Sequence, residues 1–339
     1  MSHKVGRIGY VLFLLGWMVV LTKDTPWVQD FFKPSPLETI GATLAHHQNL
    51  TGKGAIVAVI DEGFDLNHEG LRAQTLPYRY NTDDKLPYAD ISVYYHRGKK
   101  RYEFESHGTH VSGIILGGGN LKGVAPDAKL IHIKMGIRSG EKSLIKALNL
   151  ARQSAAQIVN ISMQLSFSGR WINAEVRKAI VDLAQSGKII VIAAGNSHLP
   201  MMSQGYLSDL MQVAHSPEVQ GRMIVVGSIG DKNAPEQLSS FSNYPGNFRA
   251  TYFITAPGYE ITSLAPDNEK ENLSGTSMAA PFVSGALALL KEKFPKKPPE
   301  ELVQILLEKA RKTHLDSNLP LNPVYYGAGI LDLRTILQD

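Results

Sequence analysis

Short unbroken apolar runs alternate along this chain with stretches of helical spacing. Ala55–Ile60, Leu130–Met135, Gln157–Ser162, Ile189–Ala194, Met223–Ser228 and Ile254–Ala256 have the length and composition of strands buried on both faces. Leu144–Ser154 and Ala174–Ser186 place apolar residues every three or four positions, as amphipathic helices do, and Leu37–Asn49 repeats that spacing through Leu37, Ile40 and Leu44. Two more helices are predicted where small residues crowd. One starts at Ser106 with His107 at its entrance, and the other carries Ser277 at its mouth. Strands alternating with helices predict an α/β fold: a doubly wound, mostly parallel sheet with helices on both faces. No repeat or low-complexity stretch interrupts residues 37–339, which are expected to form one domain.

The chain before residue 37 has a different pattern. Lys4 and Arg7 precede an uncharged run from Ile8 to Leu21, the arrangement of an export signal or a membrane anchor. The run is shorter than the roughly 20 residues of a full span. Val20-Leu21-Thr22 is in turn a poor match to a small-residue cleavage site, so removal and retention of residues 1–22 both stand. Charges placed before the run keep the N-terminus cytoplasmic and put the remainder outside. Residues 23–36, with Pro26, Pro34 and Pro36 and no periodicity, read as an extended spacer.

Composition narrows the chemistry. A chain of 339 residues with 43% hydrophobic content can bury a large core. The absence of cysteine excludes disulfides, thiolate nucleophiles and cysteine-ligated zinc. A net charge of +4 without a dense basic and aromatic block speaks against a nucleic-acid partner, and Lys291, Lys293, Lys296 and Lys297 read as a solvated face.

A hydroxyl nucleophile is available at Ser277. A serine at a helix N-terminus sits beside unpaired N–H groups and the positive end of the dipole, which favour developing negative charge. Gly275 permits a tight turn before it, and Pro281 reads as lying in the first turn, where a missing N–H costs little. An ordinary N-cap serine fits the same pattern. Asp61, after the first apolar run, and His107 shift the balance, because a serine needs a base to remove its proton and the base needs a carboxylate to orient it. A metal site pairing His107 with His110 is the weaker alternative, lacking a His-Glu-x-x-His pattern.

The order Asp61, His107, Ser277 is that of subtilisin, and Gly-Thr-Ser-Met-Ala fails the Gly-x-Ser-x-Gly elbow of α/β-hydrolases. The segments Val59–Asp65, His107–Gly113, Ala193–Asn196 and Gly275–Pro281 resemble the subtilisin-like serine proteases, as do Gly123–Pro126, Phe241–Tyr244, Ala256–Gly258 and Tyr326–Asp332. The resemblance spans about residues 51–333. It implies a subtilisin-like fold and a serine endopeptidase acting on a peptide or protein substrate, with Asp61, His107 and Ser277 as the triad and Asn196 as oxyanion donor. It also implies that substrate lies as an added strand beside Lys134, Met135 and Gly136 on one side and Ser162, Met163 and Gln164 on the other. Asp65 and His110 are expected to be structural.

This chain departs from the family pattern at Gln164, where glycine is common, at Glu69, where proline is common, and at Phe282, where histidine is common. Gln164 is expected to fill the substrate pocket and favour smaller or hydrogen-bonding side chains. The short loop between Gly113 and Gly123 leaves no room for the calcium-holding loop of many relatives, so no metal ligand and no cofactor is expected. Residues 23–36 are too few for a folded inhibitory prodomain. The rival functional class is a catalytically impaired binding or scaffold protein at the membrane. A lipase or esterase is disfavoured by the motif order.

Overall fold

The computed structural model describes residues 10–14, 17–21, 34–82, 92–96, 99–103, 106–135, 140–163, 172–201, 205–232, 234–247, 251–315 and 317–338. The chain divides into two compact units, Met1–Ser35 and Pro36–Asp339. In the first, Tyr10–Leu14 and Trp17–Leu21 pair antiparallel as two short strands. These ten residues of the charge-free run are thus strand, and no helix among the described residues is long and apolar enough to cross a membrane.

The second unit is organised by seven strands: β1 (Ile56–Asp61), β2 (Thr75–Asn81), β3 (Lys129–Lys134), β4 (Ile158–Ile161), β5 (Ile189–Ala193), β6 (Met223–Ile229) and β7 (Phe253–Pro257). They form one sheet in the order β7-β6-β5-β4-β1-β3-β2, and every pairing is parallel. Among the described residues, it is covered by α1 (Ser106–Leu116), α2 (Gly140–Gln153), α3 (Ala174–Gln185), α4 (Tyr206–Ala214), α5 (Thr276–Lys293) and α6 (Pro299–Glu308).

Strand periodicity sorts the core into two layers. Val57, Val59, Ile189, Val191 and Ala193 point to the face covered by α1, α5 and α6. Ala58, Ile60, Ile190 and Ile192 alternate with them and point to α2, α3 and α4. Both faces being covered explains why the strands read as continuous apolar runs. The doubly wound α/β expectation holds, and the sheet is more uniformly parallel than expected.

The stretch Leu37–Asn49 is not one helix. It breaks into Pro36–Thr39 and Ala42–His47 at Gly41, which takes φ 72°. A Cβ there would stand 2.8 Å from Arg334 Cγ, so close approach of the C-terminal segment, as well as backbone freedom, requires glycine.

Candidate active site

The ends of β1, β4 and β5 and the starts of α1 and α5 converge, and each supplies one candidate group. Asp61 is the last residue of β1 and is fully buried. His107 lies in the first turn of α1. Its Nδ1 lies 2.7 Å from Asp61 Oδ1, the ring being 30% exposed and the carboxylate 0%. The same Oδ1 accepts from Glu62 N at 2.8 Å, so the carboxylate faces the ring as a held acceptor and Nδ1 is the donor.

The residues after His107 set this approach. A Cβ at Gly108 would stand 2.2 Å from the carbonyl oxygen of Gly63, so only glycine lets α1 seat against the turn that follows Asp61. Thr109 Oγ1 accepts from Asp65 N at 2.9 Å and ties the same turn. Asp65 is structural: its carboxylate accepts from Asn67 N and from Asp267 N, both at 3.0 Å. His110 is buried, with Nε2 2.9 Å from the Ile261 carbonyl and 3.2 Å from that of Glu271. Burial pushes its pKa down to about 4, against the two carbonyl contacts, which favour the charged form. A neutral ring donating from Nε2 is a packed structural histidine.

Ser277 is the second residue of α5, after Gly275 at the cap. Asn196 follows β5 and is exposed. Its side-chain oxygen accepts from Thr276 N at 2.9 Å and from Thr276 Oγ1 at 3.0 Å, while Thr276 Oγ1 also accepts from Gly195 N at 3.0 Å. The amide is therefore oriented with Nδ2 away from Thr276. A Cβ built on Gly275 would lie 3.3 Å from Asn196 Nδ2 and 3.7 Å from Ser277 N, so these two donors border one small space. Thr276 was not singled out from the sequence. A hydroxyl next to a candidate nucleophile and opposite a candidate amide is the signal that points to it.

One expectation on α5 is corrected. Pro281 does not lie in the first turn: the helix begins at Thr276, and Pro281 stands inside it. Its missing N–H is the one that would reach the Ser277 carbonyl. Ser162 Oγ donates to that carbonyl at 2.8 Å instead.

The expected substrate segments are placed as follows. Lys134 is buried in β3 between β1 and β2, with its carbonyl accepting from Thr82 N at 3.0 Å. Met135 N donates to the Asp61 carbonyl at 2.7 Å, and its side chain is buried. Lys134 thus presents no open sheet edge, which narrows the expected pairing to positions beyond it. Ser162 is buried with its hydroxyl turned to α5, and Met163 is half-buried. Gly136 and Gln164 lie outside the described residues.

The sequence profile of the subtilase family matches residues 52–329. The chain belongs to the subtilase family. Over 281 residues this subtilase is 31% identical to the major intracellular serine protease of Bacillus subtilis, a match covering 80% of each chain. It is 31% identical over 316 residues to subtilisin E of the same organism, covering 90% of this chain and 71% of that one. Among solved structures, a cold adapted subtilisin-like serine proteinase superposes with a TM-score of 0.60 at 25% identity, covering 84% of this chain and 90% of that one. The prenylagaramide maturation protease PagA shares the fold, with a TM-score of 0.65 at 23% identity over 88% of this chain and 98% of that one. The subtilase described here is accordingly a subtilisin-like serine protease acting on peptide or protein substrates.

Proposed function

We propose that this endopeptidase cleaves peptide bonds through an acyl-enzyme on Ser277, with His107 as base and acid, Asp61 as orienting carboxylate, and Asn196 Nδ2 and Ser277 N as oxyanion donors. The observation that carries the reading is the 2.7 Å contact between His107 Nδ1 and the buried Asp61 Oδ1. With Nδ1–H donating to Asp61, the neutral ring carries its lone pair on Nε2. Nε2 takes the Ser277 proton as Oγ bonds to the scissile carbonyl carbon. The imidazolium that results is stabilised by Asp61. Negative charge moves to the substrate oxygen, where the two N–H donors bordering Gly275 receive it. His107 then returns the proton to the departing amine nitrogen, and water repeats the sequence to release the acid.

Substrate is proposed to lie beside the backbone past Met135 and along Ser162–Met163, added as a strand so that main-chain bonds supply much of the affinity. The N-terminal segment supports export: Lys4 and Arg7 before an uncharged run direct residues 37–339 outside the cytoplasm, with residues 1–22 kept as an anchor. The test of the chemistry is turnover of an internally quenched peptide by the full chain and by Ser277→Ala. The variant should fold and lose turnover, and equal rates would remove Ser277 from the mechanism.

A further inference from the structure

We infer that Ser162 is a positioning residue whose hydroxyl replaces the N–H that Pro281 withholds from the Ser277 carbonyl, and that Asn160 and Ser284 hold Ser162 in that role. The inference rests on Ser277 being the nucleophile. In an α-helix the carbonyl of residue 277 accepts from the N–H of residue 281, and proline has none. Proline's ring also crowds the carbonyl four residues earlier, so the start of α5 has lost a bond at the residue whose placement matters most.

The replacement is built into the sheet. Ser162 Oγ donates to Ser277 O at 2.8 Å, Asn160 Nδ2 donates to Ser162 Oγ at 2.9 Å, and Ser284 Oγ donates to Asn160 Oδ1 at 2.8 Å. One end fixes every direction. A carbonyl only accepts, so Ser162 spends its proton there and must itself accept; the amide then turns its NH₂ to Ser162 and its oxygen to Ser284. Asn160, Ser284 and Ser162 are 0%, 0% and 1% exposed. Asn160 is in register with Val59 on one side and Val191 on the other, both of which belong to the apolar layer under α5. A polar chain in such a layer is tolerated only when each member is satisfied, and here each link satisfies the next.

The consequence falls on Ser277. Thr276 N is held by Asn196 Oδ1 at 2.9 Å, from the end of β5, and Ser277 O is held by Ser162, from the end of β4. The backbone on both sides of the Ser277 Cα is therefore fixed to the sheet, which sets where its Oγ and N–H point. Ser284, two helical turns later, gives β4 a second grip on the same face of α5.

The experiment is a double-mutant cycle on the full chain, read as kcat and KM for a quenched peptide. A small displacement of a reacting group can cost on the order of 100-fold, so Ser162→Ala should lower kcat by about tenfold or more. KM should change little. Pro281→Ala restores an N–H to the Ser277 carbonyl, so the Ser162→Ala/Pro281→Ala variant should recover most of the lost kcat. A KM rise at unchanged kcat in Ser162→Ala would make the side chain a substrate contact and overturn the inference. So would an equal loss with proline or alanine at 281. If Ser162→Ala alone fails to fold, return of folded protein in the double variant supports the role and no return overturns it. A fluorophosphonate adduct at Ser277 in the parent separates the two readings. With the adduct present, an uncoupled cycle counts against Ser162 alone, and its absence overturns both.

Discussion

Thr276 grips Asn196 by its amide oxygen, through its backbone N–H and its hydroxyl at 2.9 and 3.0 Å. Two donors on one acceptor use the carbonyl end of the amide and leave the NH₂ end directed toward the space beside Gly275 and Ser277. The roles of the two ends can be separated by substitution.

Asn196→Asp keeps an acceptor for Thr276 and replaces the outward donor by a second oxygen. The expected outcome is a kcat lowered by about 100-fold or more with KM within a few-fold and the unfolding midpoint close to the parent. That magnitude is carried over from the oxyanion asparagine of a subtilisin. Steady-state kinetics and thermal unfolding on one preparation check it, and a KM rise at constant kcat would make Asn196 a ground-state contact.

Acid should weaken the fold through His110. An unfolded histidine titrates near 6.5, whereas His110 is pushed down to about 4 by burial. Between those values the unfolded chain holds a proton that the folded one does not. The contribution is therefore complete above pH 6.5 and is lost as pH falls toward 4, reaching on the order of 3 kcal/mol. His110→Gln retains a donor for the Ile261 and Glu271 carbonyls and does not titrate. Urea midpoints at pH 7.5 and 4.5 should differ less in this variant than in the parent, and equal differences would contradict the assignment.

The uncharged run Ile8–Leu21 predicts that molecules made in cells with their N-terminus intact keep residues 1–22 and sediment with membrane. Intact-mass measurement checks this directly. A uniform start near residue 23 in the soluble fraction would show cleavage instead.

The strands were legible because burial on both faces writes them as apolar runs, and Asp61 and His107 stand where such a run ends or a helix begins, whereas Asn196 was singled out through the family resemblance. β2 was missed. Its sequence, Thr75–Asn81, mixes polar residues and a proline, as befits a strand at the rim of the sheet. The hairpin of Ile261–Ala265 with Glu269–Leu273 was missed for a related reason: its second strand is mostly polar and exposed. The helix α6, which buries Leu302, Val303, Leu306 and Leu307, was missed because it follows the lysines after α5 and opens on prolines. Ser162 was read only for its backbone. Its hydroxyl acts across the sheet-to-helix interface, and the one sequence clue was the four-residue spacing of Ser277 and Pro281.

The account stands on Ser277 as the nucleophile. The most direct test is mass mapping of the full chain after reaction with a fluorophosphonate probe. The predicted result is a single adduct on Ser277, absent in Ser277→Ala and strongly reduced in His107→Ala, because without the base the hydroxyl is a weak nucleophile. An adduct on another serine, or undiminished labelling of Ser277→Ala, would contradict it.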